Sequence, residues 1–235
     1  MKNKYLSICI IPARSGSKRI ASKNIKSFYG KPLIYYAIKK AQNSKIFDRI
    51  IVSTDSKKIA KISIQCGAEV PYLRPKNISR DNSSTLDVLK HSITKLKLKS
   101  NDFLFCLYPT TPLLQIKYIK RVKYQLSLFP ENICLTIIEA DKRFQRGFYL
   151  RNDTISKFLK KENLNQSTQS LKKIYIDAGQ VYAGKVNKIK KVSNLIAKDN
   201  QFVIIEKGKV IDIDEELDWS FAEFLFEKYK KNLIQ

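Results

Sequence analysis

Ile10-Ile11-Pro12-Ala13-Arg14-Ser15-Gly16-Ser17-Lys18-Arg19, continued by Ser22-Lys23-Asn24, is the stretch around which the chain is organised. Residues 6–11 form an apolar run that reads as a buried strand, and the Pro, Ser and Gly that follow break it. The basic residues therefore fall on the loop at its C-terminal end. In an open α/β sheet that edge is where ligands bind. Small residues let backbone N–H groups approach a phosphate, while Arg14, Lys18, Arg19 and Lys23 supply positive charge. The loop suits a nucleoside triphosphate. It is not a Walker loop, because Gly16 stands alone and no Gly-Lys-Ser/Thr follows, and it is not Gly-x-Gly-x-x-Gly. Taken alone, it reads equally well as a solvated basic turn.

Working outward, Pro32 opens a segment whose Leu33, Ile34, Ala37, Ile38 and Ala41 recur at helical spacing, with Lys39 and Lys40 on the other side. Residues 49–53 read as a second strand delivering Thr54-Asp55, and Ser56 can cap a helix that runs to Cys66 and ends at Gly67. Residues 69–73 suggest a third, edge strand interrupted by Pro71. A polar loop over 74–84 leads to a helix from Leu86. A fourth strand, 103–108, ends in Pro109-Thr110-Thr111-Pro112, whose prolines stiffen the turn. A helix over 116–127 and a strand over 133–138 continue the strand-helix repeat, which implies an α/β fold with a doubly wound, mainly parallel sheet.

Residues 141–176 break the pattern. They are polar and Gln/Asn-rich with one strand candidate at 148–151, and they read as an excursion from a single domain spanning 1–235. The core resumes at Asp177-Ala178-Gly179-Gln180-Val181-Tyr182-Ala183-Gly184, followed by strands at 201–205 and 210–213 and a closing helix over 215–229.

Asp212-Ile213-Asp214 is the second chemical feature. In an extended chain side chains alternate faces, so the two carboxylates point one way and Ile213 the other. Paired carboxylates repel unless a cation sits between them, and hard oxygen ligands suit Mg²⁺ carrying substrate phosphates. Asp214 also fits as the cap of the helix that follows. Beside a triphosphate loop, the metal reading is preferred.

A chain of 235 residues accommodates one sizeable α/β domain and is short for two. No apolar run long enough to span a bilayer occurs, and the N-terminus carries no secretory signal pattern, so the expectation is a cytoplasmic protein without membrane contact. Cys9, Cys66, Cys106 and Cys134 show no Cys-x-x-Cys spacing and suit reduced thiols. The lone His91 reads as a helix-surface residue. The net charge of +24 invites a nucleic-acid reading, but the lysines are spread along the chain rather than gathered in a basic arm with interleaved aromatics. No nucleic-acid partner is expected.

The run Ala13-Arg14-Ser15-Gly16-Ser17-Lys18-Arg19 with Lys23-Asn24 resembles the signature loop of the CMP-sialic acid synthetase family, the cytidylyltransferases that activate nine-carbon keto acids. Residues 51–55, Arg80-Asp81-Asn82-Ser83-Ser84-Thr85, Tyr108-Pro109-Thr110-Thr111-Pro112 and Asp212-Ile213-Asp214 with Glu216-Leu217-Asp218 are similar to further family segments, so the resemblance spans nearly the whole chain. Phe144-Gln145-Arg146, Gln169-Ser170-Leu171 and residues 175–182 look most like the branch that activates pseudaminic acid. Ser167, Ser170 and Ile176 depart from the usual Arg, Asp and His of that branch.

The resemblance implies a Rossmann-like nucleotidyltransferase fold and transfer of CMP from CTP to a nonulosonic acid, with Mg²⁺ on Asp212 and Asp214. Arg14 and Lys23 act on the phosphates, and residues 13–18, Lys23, Asn24 and Ser84 surround the nucleotide. Thr110, Thr111, Gln169, Gln180 and Tyr182 face the sugar. With Ser167 in the usual arginine position, Arg143 or Arg146 is expected to meet the sugar carboxylate, since a guanidinium fork pairs both oxygens. The family also implies a homodimer, with 141–176 as the reach-over segment. The rival readings are an N-acetylneuraminate or eight-carbon keto-acid synthetase, and, from another class, a non-catalytic nucleotide- or nucleic-acid-binding protein.

Overall fold

The computed structural model describes residues 5–233. Its chain order begins with β1 (Ser7–Pro12), the small hairpin β2 (Ser27–Phe28) and β3 (Lys31–Pro32), α1 (Leu33–Ser44), β4 (Arg49–Ser53), α2 (Lys57–Gln65) and α3 (Thr85–Lys95). It continues through β5 (Phe103–Leu107), α4 (Ile116–Leu128), β6 (Cys134–Glu139), β7 (Phe148–Arg151), β8 (Thr154–Phe158), β9 (Tyr175–Lys185), α5 (Val186–Lys191), β10 (Gln201–Ile205) and α6 (Glu216–Leu233).

Six strands form the central sheet in the order β10-β6-β9-β5-β1-β4. β1 pairs in parallel with β4 and β5, and β10 with β6, while β9 runs antiparallel between β5 and β6. The expected mainly parallel, doubly wound sheet is therefore present. Because the chain leaves β1 toward β4 and returns to β5 on its other side, the C-terminal edge of β1 and β5 is the switch point where a crevice opens. Helices cover both faces. Ile11, Ile38, Phe105 and Tyr118 belong to one buried cluster, and Ile10, Leu89, Leu104 and Ile189 to the other.

A third buried cluster joins the ends of the chain. Phe28 packs edge-on against Trp219 and Phe226 of α6 at 5.5 and 5.3 Å, with Ile20, Leu33 and Ile213 completing it. This anchors Ile213 and so holds its two flanking aspartates in place. A β6 irregularity between Leu135 and Ile137 is filled by Thr136, buried completely, whose Oγ1 accepts the Val181 N–H at 3.0 Å.

Several expectations need correction. Residues 69–73 make only two isolated bridges, Ile51 with Glu69 and Thr54 with Leu73, because Pro71 removes a ladder donor at the sheet edge. Residues 210–213 are not a strand: among the described residues no strand pairs with them. The excursion carries a hairpin, β7–β8, rather than one strand, and β9 starts at Tyr175, inside the segment assigned to it. His91 is not a free surface residue, since its ring nitrogens are buried without a partner and the ring packs edge-on against Tyr72 at 5.2 Å. The caps behave as read: Ser56 accepts the Ile59 N–H at 3.3 Å, and Gly67 takes a φ of +91° after α2. Cys9, Cys106 and Cys134 are buried free thiols.

Lys40 departs most from its periodicity. Expected on the solvent side of α1, it is 5% exposed, and its ammonium donates to the carbonyls of Thr111, at 2.9 Å, and Pro112. Burial without a carboxylate partner pulls its pKa down to about 7. The unfolded chain, with an ordinary lysine value of 10.5, binds the extra proton over that interval, so this group's contribution to stability rises with pH from about 7 to 10.5. Urea unfolding of the wild type and Lys40→Met at pH 7.5 and 9.5 should show a steeper rise in the wild type, by more than about 1 kcal/mol. Parallel pH dependences would contradict the burial argument.

Candidate active site

The C-terminal edge of β1 and β5 opens into a cavity of about 360 Å³. Three loops build it: the basic loop after β1, the segment between β4 and α3 that includes Arg74 and residues 78–83, and the turn after β5 with Tyr108, Pro109 and Thr110. Asp212 and Asp214 close it from the segment before α6.

The basic loop is held by its small polar residues. Ala13 N–H donates to the Ser53 carbonyl at 2.9 Å, extending the ladder one residue beyond β1. Ser15 gives its N–H and hydroxyl to the Asp55 carboxylate at 2.8 and 2.6 Å, and buried Asn24 donates to the Arg14 carbonyl at 2.9 Å. A Cβ on Gly16 would meet nothing within 4 Å, so the space above the loop is open. Ser15 and Asn24 thus shape the loop; Arg14, Ser17, Lys18, Arg19, Lys23 and Asn24 reach the cavity wall.

Its cations are paired in this state. Arg14 and Lys18 converge on Asp81, Lys18 at 2.6 Å, and the two of them hold the Asp81 carboxyl below its ordinary value. Arg19 and Lys23 converge on Asp214 at 2.7 and 3.2 Å, and Lys23 also donates to the Ile213 carbonyl. Pairs as exposed as Arg14–Asp81, Lys18–Asp81 and Arg19–Asp214 contribute only about 0–1 kcal/mol, so a phosphate can take over such a cation at little cost. Arg74, in sequence one residue of the polar loop over 74–84, is 5% exposed, lines the cavity and donates through Nε to Ser79 Oγ at 3.0 Å. No carboxylate of a described residue pairs with it, and burial lowers its pKa. The signal available in the sequence was a lone arginine followed by Pro75 in a polar loop, which burial alone makes informative.

The two aspartates face the same cavity although their segment is not a strand, because Ile213 between them is fully buried. Asp214 is not the helix cap. Asp218 accepts the N–H groups of Asp214 and Glu215 at 3.0 and 2.8 Å, and the first helical bond runs from Trp219 N–H to the Glu215 carbonyl. Asp212 makes no hydrogen bond with a described residue, and its carboxyl is raised first by lost solvation and then by Asp214. A carboxylate without a hydrogen-bond partner among the described residues, raised by burial and then by a second carboxylate, fits a hard divalent cation, although among the described residues no cluster of three acidic, cysteine or histidine side chains occurs.

Beside the cavity lies a recess of about 330 Å³, lined by Ser84, Thr85, Leu86, Asp177, Tyr182 and residues 193–196. Thr85 lines both, and its hydroxyl bonds the Tyr108 phenol. Tyr182 donates to Asp177, and its own pKa is pushed far up, chiefly by burial.

The residues expected at the site separate into groups. Ser84 does not line the main cavity: it is the N-cap of α3, in a reciprocal capping box with Asp87, while Ser83 and Thr85 line the cavity instead. Thr111 is 1% exposed and donates to the Tyr108 carbonyl at 2.9 Å, so it braces the turn, leaving Thr110 at the wall. Gln180 is buried and bonds its own strand's Ala178 carbonyl at 3.2 Å. Gln169 lines a separate surface depression with Glu139 and Lys207. Arg143 is tied to Asp141, and Arg146 donates to the Gln166 carbonyl; neither lines the cavity or the recess.

Residues 8–185 match the model of the cytidylyltransferase family. The chain belongs to the cytidylyltransferase family. It is 34% identical over 228 residues to a pseudaminic acid cytidylyltransferase of Campylobacter jejuni, across 96% of this chain and 97% of that protein. It is 26% identical over 228 residues to an N-acylneuraminate cytidylyltransferase of Escherichia coli, across 97% of this chain and 54% of that protein. A solved CMP:2-keto-3-deoxy-manno-octonic acid synthetase complexed with CTP shares the fold, with a TM-score of 0.73 at 13% identity over 95% of this chain and 99% of that one. A solved 4-diphosphocytidyl-2C-methyl-D-erythritol synthase does so with a TM-score of 0.68 at 10% identity, over 95% of this chain and 99% of that one.

In this cytidylyltransferase, Arg14 and Ser84 should respond oppositely to truncation. Arg14→Ala removes only an exposed pair, leaving the unfolding free energy within about 0.5 kcal/mol, yet should weaken CTP binding about tenfold or more by calorimetry. Ser84→Ala loses the capping box and about 1 kcal/mol of stability, with CTP affinity unchanged.

Proposed function

We propose that the chain transfers CMP from CTP to a nine-carbon keto sugar acid, pseudaminic acid, with release of pyrophosphate. The observation that carries this reading is the meeting, in one cavity, of the basic loop and the Asp212–Asp214 pair. A relative carrying the name pseudaminic acid cytidylyltransferase, matched over nearly its full length, supports the acceptor.

In this reading the triphosphate lies over the loop after β1, with Arg14, Lys18 and Lys23 on its oxygens and Arg74 as the buried guanidinium. The acceptor occupies the recess beyond Thr85, so that its anomeric hydroxyl oxygen attacks the α-phosphorus. The new bond is P–O to the sugar; the bonds that break are the O–H of the attacking hydroxyl, whose proton passes to solvent, and the bridge from the α-phosphorus to the β-phosphate, and pyrophosphate leaves with that bridge's electron pair. Transfer of this type depends on positioning and charge neutralisation more than on covalent chemistry by the protein. Asp212 and Asp214 would hold Mg²⁺, which supplies charge neutralisation on the phosphate oxygens when bound. For Asp214 this means releasing Arg19 and Lys23, which then become available to phosphate. The sugar's carboxylate meets the other guanidinium of the cavity wall that Arg74 lines, Arg80, rather than Arg143 or Arg146.

The remaining assignments follow from the same reading. Residues 1–235 act as one nucleotidyltransferase domain, and the excursion 141–176, whose last two residues open β9, as its insertion. Phe148 and Leu150 share a face of the β7–β8 hairpin with their cross-strand partners Phe158 and Ile155, and Leu150 and Ile155 are 64% and 50% exposed. An apolar face on a two-stranded hairpin is marginal alone and suits a homodimer contact. Four cysteines without a disulfide suit the cytoplasm, and no helix among the described residues is long and apolar enough to cross a membrane.

Incubated with CTP, Mg²⁺ and pseudaminic acid, the protein should release pyrophosphate stoichiometrically with CMP-sugar. EDTA should abolish release, and Asp212→Asn should lower kcat at least about a hundredfold with the fold retained. Full activity in EDTA would remove the metal; no turnover with any keto sugar acid would contradict the reaction. For the dimer, sedimentation should give two chains for the wild type and one for Leu150→Lys combined with Ile155→Lys; a monomeric wild type would refute it.

A further inference from the structure

The recess beside the cavity contains one carboxylate and no cationic side chain among its lining residues. That carboxylate, Asp177, is fixed at both oxygens. Its Oδ1 accepts the Gly179 N–H at 3.0 Å, and its Oδ2 accepts the Tyr182 phenol. Gly179 makes the first contact possible by turning back at φ +58°, where a side chain would be strained. Tyr182 is only 5% exposed, so its hydroxyl has little freedom to swing away from Asp177.

A carboxylate oxygen accepts two hydrogen bonds, so each oxygen of Asp177 keeps one lone pair for a ligand in the recess. Leu86, Leu195 and Ile196 supply the apolar part of the same lining, the first two nearly buried and Ile196 51% exposed. The wall loop is itself ordered by the Asn194 side chain, which accepts the Ile196 N–H at 3.1 Å. An acceptor's own carboxylate is repelled from this recess by Asp177 and must lie on the basic side, in the main cavity. What enters the recess is therefore the neutral end of the acceptor: a group with an N–H donor for Asp177 and a methyl or acyl carbon for the wall.

We propose that Asp177 is a specificity-determining residue that accepts a hydrogen bond from an acylamino N–H on the acceptor, while Leu86, Leu195 and Ile196 cover the adjoining methyl groups. The inference rests on the recess being the acceptor site, as in the function proposed above. Its consequence is a preference for a deoxygenated, multiply acylamidated acid over one with a free polyhydroxyl tail. Hydroxyls can also donate to Asp177, but those forced against the apolar wall lose water without gaining a partner.

The test is steady-state pyrophosphate release by the full-length wild type, Asp177→Asn and Asp177→Glu, with saturating CTP and varied pseudaminic acid or N-acetylneuraminic acid. Asparagine keeps the shape but can turn an N–H donor toward the recess where an acceptor is needed, and glutamate moves the oxygens by one methylene. The expected result is a KM for pseudaminic acid raised about tenfold or more in both variants, since a bond to a charged group is lost. The kcat at saturation, its pH profile, the KM for CTP and the melting temperature should stay close to wild type. An unchanged acceptor KM overturns the proposal. So does a fall in kcat with loss of the acidic limb of the pH profile, which would make Asp177 the proton acceptor of the chemical step. Parallel losses toward CTP and acceptor would make it a structural residue and equally overturn it, as would a wild type that prefers N-acetylneuraminic acid. Wild-type release with other keto acids but not with these two, at normal CTP affinity, would instead contradict the pseudaminic acid reading and take the inference with it.

Discussion

Lys23, near the N-terminus, and Asp214, just before the last helix, meet at 3.2 Å across 191 residues of chain, and Lys23 donates to the Ile213 carbonyl as well. Arg19 adds a second cation on the same carboxylate. The contact is built on the apolar cluster beneath it, where Ile20 from the basic loop and Ile213 from the acidic segment share a core with Phe28 and Trp219. Hydrophobic burial supplies the stability, since partly exposed ion pairs contribute little. What the ion pairs supply is register: they set the basic loop and the acidic segment side by side on the wall of one crevice, where a ligand carrying both phosphates and a cation can exchange with them.

The sheet adds the second constraint. By running β9 backwards between β5 and β6, the fold carries Asp177 and Tyr182 to the side of the turn that follows β5. Tyr108 then touches both compartments, bonded to Thr85 on one side and packed 5.7 Å from the Tyr182 ring on the other. Lys40 braces that turn from below through the Thr111 and Pro112 carbonyls. A charged group so deeply placed is costly unless hydrogen-bonded. Its use here is to satisfy carbonyls in a turn whose prolines, Pro109 and Pro112, offer no N–H of their own.

Much of this was legible in the sequence where local physics decides. The strands Arg49–Ser53 and Gln201–Ile205 fall where short apolar runs meet turn residues, and Ser56 and Gly67 mark α2 by cap chemistry alone. Asp212 and Asp214 were recognisable because period-two alternation around a buried Ile213 survives even without a ladder. The misses concern what tertiary contacts decide. Residues 210–213 have strand-like composition, but among the described residues no strand pairs with them. Ser84 reads as a ligand or a cap until Asp87 is seen to reciprocate. Arg74 and Lys40 look like solvated charges, and only their burial reveals a cation facing the cavity and another bracing its turn. Ser167 in the usual arginine position makes Arg143 and Arg146 look like partners for the sugar carboxylate; in the fold Arg143 pairs with Asp141 and Arg146 donates to the Gln166 carbonyl, and neither lines the cavity or the recess.

The central claim is that the basic loop after β1 and the Asp212–Asp214 segment together line one CTP site. Amide hydrogen exchange of the wild type, with and without CTP and Mg²⁺, tests it most directly. The account predicts slowed exchange in peptides covering residues 14–24, 74–85 and 212–218 together, with the β7–β8 hairpin unaffected. Protection confined to the hairpin and its surrounding excursion, or protection of the basic loop without the 212–218 segment, would contradict it.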